Sequence, residues 1–124
     1  GHMIDIFQRH IEQMKIDFQK SLKMGVKYAL GTDLVGYPTH PPDAAAKEFE
    51  MVVNWGMTNM QAIVAGTKIS AEALSMDKEI GTLEKGKLAD LIAVKEDPIK
   101  NIKTLQDVKF VLFDGKIIVD KISN

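Results

Sequence analysis

Val26-Lys27-Tyr28-Ala29-Leu30-Gly31-Thr32-Asp33 is a short apolar run that ends on a small residue, a hydroxyl and a carboxylate. A run of this length bounded by turn residues reads as a buried strand, and the segments on either side read as helices, so the fold class expected is α/β. In parallel α/β folds the reactive groups gather at the carboxyl ends of strands, where side chains face an open crevice while helices cover the flanks. Asp33 is therefore the first candidate for chemistry. The same Gly-Thr-Asp sequence also suits an ordinary strand-to-loop turn, with Asp33 accepting hydrogen bonds from the next backbone amides.

On the N-terminal side, Phe7, Ile11, Met14, Phe18 and Leu22 recur in alternating steps of four and three between Ile4 and Met24, with polar residues between them. That spacing predicts an amphipathic helix, and Gly25 suits the left-handed residue that ends it. On the C-terminal side, Leu34 to Pro42 carries three prolines and a glycine and is expected to form an irregular rim loop. Asp43 is placed to cap a helix over Ala44 to Trp55, which Gly56 ends. Thr58-Asn59-Met60-Gln61 has the spacing of a capping box and predicts another helix toward Gly66, followed by a short one over Ile69 to Met76.

After Met76 the pattern changes. Ile80 to Lys87 is rich in turn residues, Leu88 to Val94 reads as a strand interrupted by Asp90, and Ile99 to Leu105 is ambiguous. Val108 to Phe113 reads as a strand that meets Asp114-Gly115, a hairpin signal, before Ile117-Ile118-Val119. The chain is expected to close on a small antiparallel β unit.

Composition narrows the functional classes. With 124 residues, 45% hydrophobic and 27% charged, the chain suits one domain with a real core rather than two. A formal charge of -1 with acids and bases interleaved argues against a nucleic-acid surface, and nothing points to a membrane surface. The absence of cysteine excludes disulfides and thiolate metal sites and allows the cytoplasmic setting expected here. Gly1-His2-Met3 has the form of a cleavage scar before a start residue, so His2 is left out of the site reasoning and residues 1–3 are read as a tag remnant.

The order of these features resembles the C-terminal portion of the amidohydrolase superfamily of metal-dependent hydrolases. Gly25-Val26-Lys27 leading to Gly31-Thr32-Asp33 resembles the eighth strand of that family's barrel, and Gly56-Met57-Thr58 through Glu72-Ala73-Leu74 resembles its last helices. Ile80 to Leu91 is similar to the return into the family's small β-sandwich, and Val111 to Lys116 to its closing hairpin. The proline-rich loop and Ala46-Lys47-Glu48-Phe49-Glu50 resemble most the branch of Xaa-Pro dipeptidases, carboxypeptidases and imidazolonepropionase relatives.

The resemblance implies a C-terminal fragment of a (β/α)8 metallo-hydrolase barrel over 4–78 and part of a small β-sandwich over 79–124. It implies a divalent metal, usually zinc, in the intact enzyme, held by histidines and by the aspartate that maps onto Asp33. That aspartate would ligate the metal and shuttle a proton from the attacking water to the leaving nitrogen of an amide or dipeptide-like small molecule. The family's His-x-His pair is absent here, and a closed barrel takes roughly 250 residues, so the chain is expected to be inactive alone. His40 in the proline loop is a second candidate metal ligand beside Asp33, or a solvent-exposed loop histidine. His10 is read as surface. Two ligands are fewer than zinc sites use, so tight metal binding by this chain is not expected. Gly81 and Gly86 lack the strand-then-helix context of a phosphate loop, and the methionines are expected to fill the core rather than form a binding surface.

Strands missing around the barrel segment would leave bare edges. The expected outcome is a homo-oligomer through the 26–30 strand and the C-terminal hairpin, or pairing with a missing N-terminal half. A non-catalytic assembly module is the competing reading.

Overall fold

The computed structural model describes residues 1–32 and 44–123. The chain is mixed helix and strand, with the helices first and a three-stranded antiparallel sheet last. Helix α1 spans His2–Lys23, and its end follows from one residue. Gly25 takes φ +80°, which lets its own N–H reach the Leu22 carbonyl and the Val26 N–H reach that of Ser21, both within about 3.1 Å. Helix α2, Ala44–Asn54, ends the same way at Gly56 (φ +128°), and the chain then returns Met57 onto Val52 in the core.

Val26 to Leu30 is not a strand. It forms no regular element, and no described strand pairs with it; the sheet consists of Leu91–Val94 (β1), Val108–Phe113 (β2) and Lys116–Asp120 (β3). Apolar character and β-branching make a segment ready to pair, yet a ladder needs a neighbour at hydrogen-bonding distance. The rim loop from Leu34 to Pro42 and the Asp43 cap fall outside the described residues.

The capping box forms as expected. The Thr58 hydroxyl accepts from the Gln61 N–H at 3.1 Å, and the Gln61 side chain accepts from the Thr58 N–H at 2.8 Å. The helix it opens does not stop at Gly66. Asn59–Val64 (α3) runs through a π-helical turn, Ala65–Ile69, into Ser70–Ala73 (α4) as one continuous run. Gly66 is required there for space: a Cβ on it would lie 2.3 Å from Cζ of Phe49. The run ends before the expected Met76, because Ser75 takes φ +57° and the Met76 N–H turns back to the Ala71 carbonyl.

The segment Ile102–Gln106, whose sequence pattern is mixed, is a 3-10 turn, and it carries Ile102 and Thr104 into the interior. The hairpin is as read from sequence. Asp114 and Gly115 both take positive φ, and Phe113 pairs with Lys116 across a two-residue turn. The core is small: Val52, Met57, Ala62, Ala65 and Ile102, flanked by Phe18, Leu22, Tyr28, Leu30, Phe49 and Leu105. The core-filling role expected of the methionines holds for Met57 alone; the other six are exposed, because the few helix positions that face this core are taken by Val and Ala.

Candidate functional site

The segment that leads to Asp33 is fastened to the helices along its length. Tyr28 packs on Phe18 with ring centroids 4.8 Å apart, and its hydroxyl hydrogen-bonds that of Ser21 on α1. Lys27 forms an exposed ion pair with Glu72 at 3.9 Å. Leu30 is held at its N–H by Ser70. The Leu30 N–H donates to the Ser70 hydroxyl at 3.2 Å, and the Leu30 carbonyl lies 3.3 Å from that hydroxyl. The hydroxyl proton has a shorter acceptor, the Ala65 carbonyl at 2.8 Å, which also receives the Ser70 N–H across the π turn. One residue on, the Gly31 N–H reaches Oε1 of Glu48 on α2 at 3.4 Å.

Two strand-like functions are therefore supplied without a strand. The Ser70 hydroxyl stands in for one neighbouring backbone, and the Glu48 carboxylate for another. Asp33 and His40, the two site residues expected from sequence, lie outside the described residues, and the segment is described up to Thr32, which is half-buried. His10 is exposed, its Nδ1 bonded to the Ile6 carbonyl at 2.9 Å. Among the described residues no three of His, Asp and Glu converge in a way that would hold a metal ion. The donors described in this chain do not compose a metal site.

Sequence reading missed Ser70, Glu48 and Glu50. Glu50 joins α2 to the 3-10 turn: Gln106 donates to one of its oxygens at 2.7 Å and Lys103 pairs with the other at 3.2 Å. The Gln106 hydrogen bond, then Lys103, holds the Glu50 carboxyl below its usual value. None of these has a local signal, since each partner is about 40 residues or more away or sits on another element. Beside them a groove of about 1170 Å³ separates the helices from the sheet, lined largely by apolar side chains such as Phe49, Ile63, Leu74, Ile92, Val111 and Val119.

Residues 4–118 match the sequence profile of the amidohydrolase family. The chain belongs to that family. Over 96 residues it is 36% identical to ochratoxinase of Aspergillus niger, a match that spans 76% of this chain and 19% of the relative. Over 77 residues it is 34% identical to imidazolonepropionase of Acinetobacter baumannii, spanning 58% of this chain and 18% of the relative. The crystal structure of a Xaa-Pro dipeptidase with bound methionine in its active site superposes with a TM-score of 0.79 at 39% identity, covering 87% of this chain and 26% of that one. The fold of an amidohydrolase is thus present over most of the chain, and the chain spans about a fifth to a quarter of the length of these relatives. Members of the amidohydrolase family are hydrolases and are generally metal-dependent.

Proposed function

We propose that the chain is the C-terminal part of a metal-dependent amidohydrolase whose intact form hydrolyses an amide or peptide-type C–N bond. The observation that carries this reading is the superposition on the Xaa-Pro dipeptidase at 39% identity over 87% of the chain but only 26% of that structure. In this reading residues 4–78 are the terminal segment of a (β/α)8 barrel and 79–124 part of a small β-sandwich, and the setting is the cytoplasm. Asp33 is the proton carrier: its carboxylate takes a proton from the attacking water and delivers it to the leaving nitrogen. It is also the one metal ligand this chain supplies, with His40 as a second at most, and the remaining ligands belong to the part of the relatives that has no counterpart here. Substrates of the dipeptide or N-acyl amino acid class follow from the dipeptidase likeness.

Zinc, manganese or cobalt added to the chain with Xaa-Pro dipeptides or N-acyl amino acids is expected to give no turnover. Turnover by the isolated chain that disappears in Asp33→Asn would overturn its inactivity while supporting the role of Asp33. Turnover that survives Asp33→Asn would overturn both. The alternative, a non-catalytic assembly module built on the same fold, rests on the exposed edges β1 and β3 of the sheet, through which a homo-oligomer would form.

A further inference from the structure

The connection from α4 to β1 folds around a single nitrogen. Nζ of Lys87 lies 2.6 Å from the Asp77 carbonyl oxygen, 2.6 Å from the Thr82 hydroxyl and 3.0 Å from Oε2 of Glu84, with the Ile80 carbonyl oxygen farther off at 3.4 Å. A lysine ammonium has three N–H donors and accepts nothing, so the three near oxygens match it one for one. The Thr82 hydroxyl is turned to accept, because its own proton goes to Oε2 of Glu84 at 2.6 Å. Backbone bonds that do not involve the lysine side chain hold this loop in shape. The Glu79 and Ile80 N–H groups both return to the Met76 carbonyl, at 2.9 and 3.0 Å, and the Leu88 N–H closes the loop on the Glu79 carbonyl at 2.9 Å. Gly81 then seats the loop on the helical run, so close to Ala71 that a side chain there would collide with it.

We infer that residues 77–84 form a binding site for a primary ammonium ion, which the chain fills with its own Lys87 and uses as a latch between the helices and the sheet. The latch works from end to end of the connection: Asp77 follows α4, Lys87 precedes β1, and the ammonium joins the two directly. Charge and donor number both fit. The Glu84 carboxylate balances the cation, and the bonds to it and to the two neutral oxygens replace the water that a side chain only 15% exposed has given up. A guanidinium does not fit in the same way, because its donors form a planar fork instead of radiating from one atom. Shortening Lys87 to alanine leaves the oxygens on their loop and takes the cation away. The group removed is n-propylammonium, so that ion, supplied free in solution, is the ligand the emptied site takes.

The test is denaturant unfolding of Lys87→Ala with and without n-propylammonium chloride. The midpoint of the variant is expected below that of the native chain, and to climb back toward it, saturably, as n-propylammonium is added. Potassium and tetramethylammonium chlorides at the same ionic strength are expected to leave the variant unchanged, and n-propylammonium to leave the native chain unchanged. Absence of recovery would overturn the proposal, since no site then survives the loss of the lysine. Equal recovery with tetramethylammonium would overturn it too, as an effect of ionic strength alone, and so would equal recovery with potassium, which carries no N–H donor. Should the variant not fold, nitrogen-15 NMR of the native chain decides. One lysine ammonium in slow exchange with water, coupled through its hydrogen bond to the Asp77 carbonyl carbon, is expected; lysine ammonium groups that all exchange freely would overturn the latch.

Discussion

Two glycines in the turn-rich stretch show how a single Cβ can be read from geometry. Gly81 (φ +94°) and Gly86 (φ +93°) share a left-handed backbone, but only the first is crowded. A Cβ on Gly81 would lie 2.6 Å from Cβ of Ala71 and 3.2 Å from the Thr67 carbonyl oxygen, whereas nothing lies within 4 Å of one on Gly86. Gly86→Ala is expected to cost about 1–2 kcal/mol, the backbone strain alone. Gly81→Ala carries the same strain and must also push the α4 backbone aside, for about 2–4 kcal/mol in all. Denaturant midpoints of the two variants decide the matter, and equal losses would show that the connection after Met76 gives way without cost. The sequence marks both glycines as turns; it does not distinguish them, because the crowding comes from the helix that precedes them.

That connection behaves as an element in its own right, held by one ammonium group. Nζ of Lys87, whose side chain is only 15% exposed, donates to the Asp77 carbonyl at 2.6 Å and to the Thr82 hydroxyl at 2.6 Å, and pairs with Glu84 at 3.0 Å. The Thr82 hydroxyl in turn donates to Glu84 at 2.6 Å, and this bond, followed by Lys87, holds the Glu84 carboxyl below its usual value. A carboxyl depressed in the folded state adds stability above its unfolded pKa, which is lost as the pH falls through the folded one. Glu84→Gln is therefore expected to lower stability near neutrality, with the difference from the native chain closing as the pH falls below about 5, so that the acid limb of the stability curve flattens. An unchanged acid limb would mean that the carboxylates of Glu50, Asp107 and Asp120, depressed in the same direction, account for it.

At this scale the sequence was legible wherever the signal is local. The helix ends at Gly25 and Gly56, the Thr58 capping box and the Asp114-Gly115 hairpin each depend on residues within a few positions. Val26 to Leu30 was misread as a strand because pairing depends on a partner elsewhere. The run past Gly66 was misread because the small residue answers to Phe49, seventeen positions back.

For the whole molecule, the helices and the sheet are two units joined mainly through the 3-10 turn, where Ile102 enters the core and Glu50 reaches Gln106. The groove between them leaves the sheet's inner face thinly covered. Amide hydrogen exchange is expected to protect α2 and α3 more strongly than β2 and β3, with the sheet opening in a separate step at lower denaturant. A single transition shared by both units would show instead that the 3-10 turn couples them fully. Of the candidate site, the sequence supplied the chemical identity of Asp33 and its place at the end of an apolar run; it could not supply Ser70 or Glu48, which join the run only in three dimensions.

The π turn at Ala65–Ile69 amounts to one residue more than an α-helix would need to cover the same rise. Wound as plain α-helix with no residue absorbed in the wider turn, the same sequence would carry everything after it about 1.5 Å further along the axis and about 100° further round it. The Ser70 hydroxyl would then face away from Leu30, and the chain leading to Asp33 would lose its anchor although no residue touching it had been altered. The length of that turn, rather than the identity of its side chains, is what keeps the two segments in phase.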